Sequence, residues 1–465
     1  MKIIPNSQKN RYIAGVVIVL AAIALIVWLV SWLSATSSEI RDWSEIRTWY
    51  DLDAVRDNLA GNYSLMNDLD STTAGYEELA GPTADGGKGW EPIGLLGGRT
   101  SFAGTFDGQQ HEIRDLFIHR PDQIRIGLFG MIDYGAVVKN LGVVDFTMIG
   151  DRLVGGLVGL NKGTISNSYS TGNVTGNDGV GGLVGHHSCG ALHNCYSIAS
   201  VTGENDVGGL VGQNTATTVR SRRSTFCEGT ISDSYSRGTV TGQSSVGGLI
   251  GATEHGTIVE DSYSGGSVTG NNNVGGLVTS DEFSTVSNSY STSSVTGSSS
   301  VGGLVGQHDG GTVSNSYATG SATGTEYVGG LVGEKKGGTV SNCYSTGSVT
   351  GYSLIGGLVG YNYYGYVNNS YTTGNTTGNE YVGGLVGENY KGNVSNSFWD
   401  IDTSGQATSD GGTGKTTAEM QDIVTFSGAT WDIVAVANPS IRNTSYIWNI
   451  VDDETYPFMR WEPVS

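Results

Sequence analysis

Val154-Gly155-Gly156-Leu157-Val158-Gly159 opens a unit that returns, with small changes, at Val180, Val207, Val246, Val274, Val301, Val328, Ile355 and Val382. A diverged earlier copy is Ile126-Gly127-Leu128-Phe129-Gly130. The central leucines Leu157 and Leu183 are 26 residues apart and Leu277 and Leu304 are 27 apart; the main exception is the long gap from Leu210 to Leu249. A fixed period of this length means stacked structural units. One unit, VGGLVGLNKGTISNSYSTGNVTGNDG, holds three short strand-like pieces separated by Gly, Asn and Asp corners, without a helical run of ten residues. Such a coil is a rung of a parallel β-helix. At a rung spacing of roughly 4.8 Å, ten rungs make a rod of roughly 48 Å. A single rung cannot bury its apolar face, so the stack requires its neighbours and a cap at each end.

Aligning the rungs gives columns. An aliphatic column runs through Ile165, Leu192, Ile231, Val259, Val286, Val313, Val340, Val367 and Val394. Two residues on stand Asn167, Asn194, Asp233, Asp261, Asn288, Asn315, Asn342, Asn369 and Asn396, a pattern that predicts an amide ladder at a turn. Tyr169, Tyr196, Tyr235, Tyr263, Tyr290, Tyr317, Tyr344 and Tyr371 follow, ending in Phe398, with a small Ser/Cys column between. Simple alternation from the aliphatic column turns the tyrosines inward, and a core of serine alone would bury little apolar area. An Asn corner reverses the phase and turns them to solvent, where Tyr235, Tyr263, Tyr290, Tyr317 and Tyr344 form a candidate ligand stripe suited to sugar rings. Both readings stand at this level.

Outward from the repeats, Tyr12 to Leu33 is uncharged and long enough to span a bilayer. Lys2, Lys9 and Arg11 precede it, which predicts a cytoplasmic N-terminus; a cleaved signal peptide is the alternative. The sequence therefore divides into a cytoplasmic N-terminus (1–11), a transmembrane anchor (12–33), a linker and N-terminal cap (34–100), a β-helix of about ten repeats (101–400) and a C-terminal cap (401–465). Ile46, Trp49, Leu52, Val55 and Leu59 have helical spacing, as a lid on the rod would need. The long gap holds Arg220, Arg222 and Arg223, a candidate basic partner loop whose plainer reading is a solvated bulge.

A net charge of -20 argues against nucleic acid. Four cysteines are too few for a disulfide framework, although a Cys189–Cys195 bridge is open to an oxidising compartment. His111-Glu112 lacks the second histidine of an HExxH zinc site. His186, His187 and His193 with Cys189 and Cys195 have the wrong spacing for structural zinc. Gly412-Thr413-Gly414-Lys415-Thr416 imitates a phosphate loop but has Ser409 where the first glycine belongs. Thr416 and Glu419 instead fit a capping box. No metal, cofactor or catalytic set is expected, since the repeat faces carry Ser, Thr, Asn and Tyr while Asp178, Glu204, Asp206, Glu326 and Glu380 fall at corners.

The repeated Gly-Leu-aliphatic-Gly signature resembles the GLUG-motif repeats over about residues 101–400, and FAGTFDGQQHEIRDL resembles the entry rung of pectin-lyase-like β-helices. The resemblance implies a right-handed parallel β-helix on a bacterial or archaeal surface protein. The expectation is thus an all-β, non-catalytic, single-pass membrane protein with its repeats outside the cell, serving structure, adhesion, or glycan or protein binding. The alternative is a carbohydrate-active enzyme, a polysaccharide lyase or hydrolase with its site on the β-helix face.

Overall fold

The computed structural model describes residues 43–94, 101–219, 225–227, 229–254 and 256–463. The predicted anchor at 12–33 and the loop arginines Arg220, Arg222 and Arg223 lie outside the described residues. Among the described residues no helix is long and apolar enough to cross a membrane. The unit Glu45–Ser465 is a parallel β-solenoid.

One rung contains the strands Asp178–Gly181, Val184–Ser188, Gly190–His193, Tyr196–Ser197 and Ser200–Thr202. Each pairs in parallel with its counterpart one rung on: Val180 with Val207, Val184 with Val211, Leu192 with Ile231, Tyr196 with Tyr235 and Val201 with Val240. Two of the resulting sheets are ten-stranded, which sets the solenoid at about ten turns. Inside, the leucine, first-strand valine and aliphatic columns are fully buried, as Leu304, Val301 and Val313 are, except at the last rung, where Val382 and Val394 are partly buried.

The second glycine of each motif is required by close approach. Gly303 donates its N–H to the Gly329 carbonyl at 3.1 Å. A Cβ on Gly303 would lie inside the van der Waals shell of the Gly330 carbonyl oxygen, and Gly276, Gly330 and Gly357 face the same obstacle on their own neighbours.

The Asn/Asp column decides which way the following residues point. Asn167, Asn194, Asp233, Asp261, Asn288 and Asn315 all adopt left-handed backbone, with φ between 48° and 51°. Asparagine and aspartate tolerate this region better than other L-residues. The predicted amide ladder forms: Asn194 Nδ2 donates to Asn167 Oδ1 at 2.7 Å and Asn342 Nδ2 to Asn315 Oδ1 at 3.3 Å. This turn reverses the alternation, so the small column points inward and the tyrosines outward. The inward expectation for the tyrosines fails for that reason. Inward serine is well provided for. Ser262 Oγ donates to the Glu260 carbonyl at 2.7 Å and accepts the Ser234 N–H at 3.2 Å, a pattern repeated by Ser289 and Ser316. A buried hydroxyl so satisfied carries little desolvation cost.

The N-terminal cap is aromatic. Trp49, Leu52, Val55, Trp90, Phe102 and Phe106 are fully buried, with Trp49 5.8 Å from Trp90 and Phe102 5.1 Å from Phe129. The predicted lid helix is shorter than its apolar pattern, a Thr48-capped turn over Trp49–Asp53 followed by a 3-10 turn. At the other end, Gly384 donates to Thr408 and Asp410 to Val386, covering the last rung's edge. Thr416 and Glu419 form the predicted capping box, and Thr413–Lys415 is a strand paired with Phe398–Asp400. The phosphate-loop lookalike is therefore structural.

Gly303→Ala is expected to destabilise the protein by about 3 kcal/mol in denaturant unfolding, because the backbone must move to admit the methyl group. An unchanged midpoint would contradict the close-approach argument.

Candidate functional site

The tyrosine column is an external ladder of parallel rings. Centroids of Tyr169 and Tyr196 are 4.8 Å apart at 4°, Tyr235 and Tyr263 4.7 Å at 6°, and Tyr317 and Tyr344 4.8 Å at 8°. Each ring face is covered by the next ring, so the ladder presents phenol edges to its surroundings, not faces for sugars to stack on.

The two ends of the ladder differ. At its foot the Tyr169 hydroxyl bonds to the Glu112 carboxylate, which also pairs with Arg114. Burial, reinforced by Glu112, holds the Tyr169 phenol well above its ordinary pKa. In the middle, the Arg237 guanidinium lies 5.2 Å over Tyr235 and 5.3 Å over Tyr263, and donates to the Tyr263 hydroxyl at 2.9 Å. At the head the C-terminal cap covers the ladder. Tyr317, Tyr344, Tyr371 and Phe398 are buried with Met420, Phe426, Trp431 and Trp448 in a second apolar cluster outside the solenoid core. Trp461 stacks on Tyr317 at 5.6 Å and reaches Tyr290 at 6.3 Å, while the Tyr371 hydroxyl donates to the Pro457 carbonyl at 2.6 Å.

Of the five predicted stripe residues, Tyr235 and Tyr263 are half-buried and open to a partner, and Tyr290 lies at the cap's margin. Tyr317 and Tyr344 are 7% and 6% exposed. They are cap contacts and not ligand surface. The arginine insert contributes an antiparallel pair, Thr217–Val219 with Thr225–Cys227, and its arginines lie outside the described residues.

The His/Cys cluster does not converge. His187 is fully buried, His193 is exposed with its Nδ1 3.1 Å from an Asp233 carboxylate oxygen, and His186 meets the Thr215 hydroxyl at 2.7 Å. Cys189 is disulfide-bonded while Cys195 is free, so the Cys189–Cys195 bridge is not formed. Burial pushes the free thiols of Cys195 and Cys343 up to about 12, which makes them inert fillers of the serine column. Among the described residues no group of three or more His, Cys, Asp or Glu side chains could hold a metal ion.

A buried polar column escaped the sequence reading. Asn161, His187, Asn214, His308, Lys335 and Asn362 share one position of the rungs, with Thr253 and Asp281 holding it between Asn214 and His308, and all six are fully buried. They bind the next corner: Asn161 Oδ1 accepts the Gly163 N–H at 2.9 Å, Asn214 donates to the Gly229 carbonyl at 3.2 Å and Lys335 to Gly338 at 2.7 Å. Burial depresses His187 to about 4. The signal was polarity at one fixed position, hidden by the change of residue type from rung to rung.

Five segments match the family model described as the GLUG motif: residues 150–175, 203–241, 297–323, 324–350 and 378–398. Halomucin of Haloquadratum walsbyi is 34% identical over 151 residues, 32% of this chain and 2% of its own. A protein of Evansella cellulosilytica provisionally described as a Gly-rich membrane protein is 39% identical over 127 residues, 26% of this chain and 14% of its own. The chain thus spans a small fraction of these relatives. A Bacteroides ovatus crystal structure, provisionally described as that of an immunoglobulin A1 protease, aligns over 90% of this chain and 92% of that one at 17% identity, with a TM-score of 0.41.

Half-buried Glu462, beside the Tyr344 hydroxyl, accepts the Met459 N–H at 2.6 Å; burial lifts its carboxyl to about 7 against Met459, Tyr344 and Arg442. A carboxyl raised in the folded state stabilises fully below its unfolded pKa and loses that contribution as pH rises through about 7. Cap unfolding, followed by tryptophan fluorescence, should come at lower temperature at pH 8 than at pH 5, and Glu462→Gln should flatten the slope. An unchanged slope would contradict the assignment.

Proposed function

From the premise that this chain is a GLUG-repeat β-helix protein, we propose that it is a non-catalytic display rod, anchored by residues 12–33 with its repeats outside the cell. The observation that carries this reading is the tyrosine ladder. A regular stack places a repeated phenol edge along one flank, closed by a cap at its head and open over Tyr169, Tyr196, Tyr235 and Tyr263. Repetition at one rung spacing suits contact with an extended partner, a surface glycan or protein, through many weak contacts. Tyrosine supplies rigid, amphipathic contact area at low entropy cost, and Arg237 adds a cation held by two rings. The relatives' names, one a mucin and one a membrane protein, support a cell-envelope setting.

The acids support a structural role. Buried Asp400 accepts from Asp402 and Thr403 amides and from the Thr417 and Tyr456 hydroxyls. Glu112 is engaged by Arg114 and Tyr169. That trio on the rod's flank is where a polysaccharide-cleaving reading would put its acid and base, and it makes the alternative testable.

Protease added to intact cells is expected to release repeat fragments while residues 1–11 stay protected; a protected repeat domain would contradict the topology. The purified full chain is expected to generate no new chain ends from an acidic polysaccharide. Turnover abolished by Glu112→Gln would establish the enzymatic alternative. Tyr235→Ala with Tyr263→Ala should reduce attachment of displaying cells several-fold without unfolding the rod.

A further inference from the structure

Large exposed side chains are unevenly spread along the rod. Between residues 150 and 350, Ile198 and Phe283 are the exposed large apolar residues among those described, whereas the last two rungs expose Tyr352, Tyr363, Tyr364, Tyr366, Tyr381 and Tyr390. Four of these, Tyr363, Tyr364, Tyr366 and Tyr390, gather at one corner. Strands Val359–Tyr363 and Val386–Tyr390 end there in register, with the Tyr363 and Tyr390 rings stacked at 5.5 Å and 8°. Tyr364 stands across them, 4.6 Å from Tyr363 at 83° and 6.0 Å from Tyr390 at 75°. The Lys391 ammonium lies 5.3 Å over Tyr364 and 5.0 Å over Tyr390, and donates to the Tyr364 hydroxyl at 2.9 Å. Tyr366, 57% exposed, opens the following strand.

Backbone conformation supplies a second observation. Tyr364 and Lys391 both adopt φ of 55°, at the place where the two preceding rungs have Gly310 and Gly337 with φ of 79° and 74°. Cys189 and Phe283 share the position lower down. Glycine reaches this region without steric penalty and a tyrosine does not. The corner thus carries strain that glycine would relieve, in exchange for an aromatic ring held in solvent. Tyr364, like Phe283 lower down, holds an exposed aromatic ring at this turn.

Unlike the ladder, this corner offers aromatic rings in crossed orientations, together with phenol hydroxyls and an ammonium. A pyranose has matching chemistry: an apolar face of C–H groups for the rings and a rim of hydroxyls for the hydrogen-bonding groups. Charge selects within that class, because a protein of net charge -20 repels polyanions. We propose that the corner formed by Tyr363, Tyr364, Tyr366, Tyr390 and Lys391 is a binding site for neutral saccharides. The inference rests on the surface reading for access to such a ligand, but its site is separate from the ladder.

The test uses the full chain in a zwitterionic, sugar-free detergent, titrated calorimetrically with cellohexaose, chitohexaose, mannohexaose and hexagalacturonate. At least one neutral oligosaccharide is expected to bind, and Tyr363→Ala with Tyr390→Ala should weaken it at least tenfold. Tyr364→Gly should weaken it comparably while leaving the thermal midpoint unchanged or higher, which a purely structural tyrosine would not do. Binding of the uronate alone, absence of binding to all four probes, or binding indifferent to these substitutions would overturn the proposal. Binding lost instead in Tyr235→Ala with Tyr263→Ala would overturn it too, while supporting the ladder as the contact surface.

Discussion

From Asn140 onward, every rung of this protein depends on one residue accepting a left-handed backbone between the aliphatic column and the tyrosine column. Asn and Asp fill that place, with φ near 50° along the rod. The turn bends the chain so that it can close a rung, and it shifts the side-chain phase by one. Serine then faces the interior and tyrosine the exterior. The carboxamides link successive rungs from Asn140 to Asn194 and from Asn288 to Asn342, so the device that turns the chain also helps hold the stack in register.

Two further features follow from rungs lying a strand spacing apart. Glycine must stand wherever backbone meets backbone, which is why Gly303 faces Gly330 and Gly330 faces Gly357. Buried polar groups must bond along the stack or to the nearest corner, as the serine column and the Asn161-to-Asn362 column do. Outside the solenoid, the tyrosine ladder is continuous, and its fate changes along the rod. Near the C-terminus it becomes the floor of a second apolar cluster under Trp431, Trp448 and Trp461; toward the N-terminus it remains open.

Much of this was legible in the sequence because it repeats. The glycine-leucine motif, the aliphatic column, the amide ladder and the Thr416 capping box are all local patterns, and local patterns survive folding. The direction of the tyrosines was not legible from alternation, since a single positive φ at Asn167 or Asn288 inverts it. Tyr317 is covered by Trp461 and Tyr344 by Trp448, each more than a hundred residues later, and no periodicity connects them. The crossed rings at Tyr364 were hidden differently. Tyr363 and Tyr364 fall outside the repeating columns, and only the left-handed turn at Tyr364 sets its ring across that of its neighbour.

Adjacent residues on opposite faces give the most direct test of the phase reversal. Tyr263→Cys and Ser262→Cys, each in the full chain, should be treated with a maleimide before and after denaturation. Tyr263→Cys is expected to label rapidly in the native protein, whereas Ser262→Cys, placed at a position 1% exposed, should label above the wild-type background only after unfolding. Protection of Tyr263→Cys with labelling of Ser262→Cys would place the tyrosines inside and contradict the phase reversal.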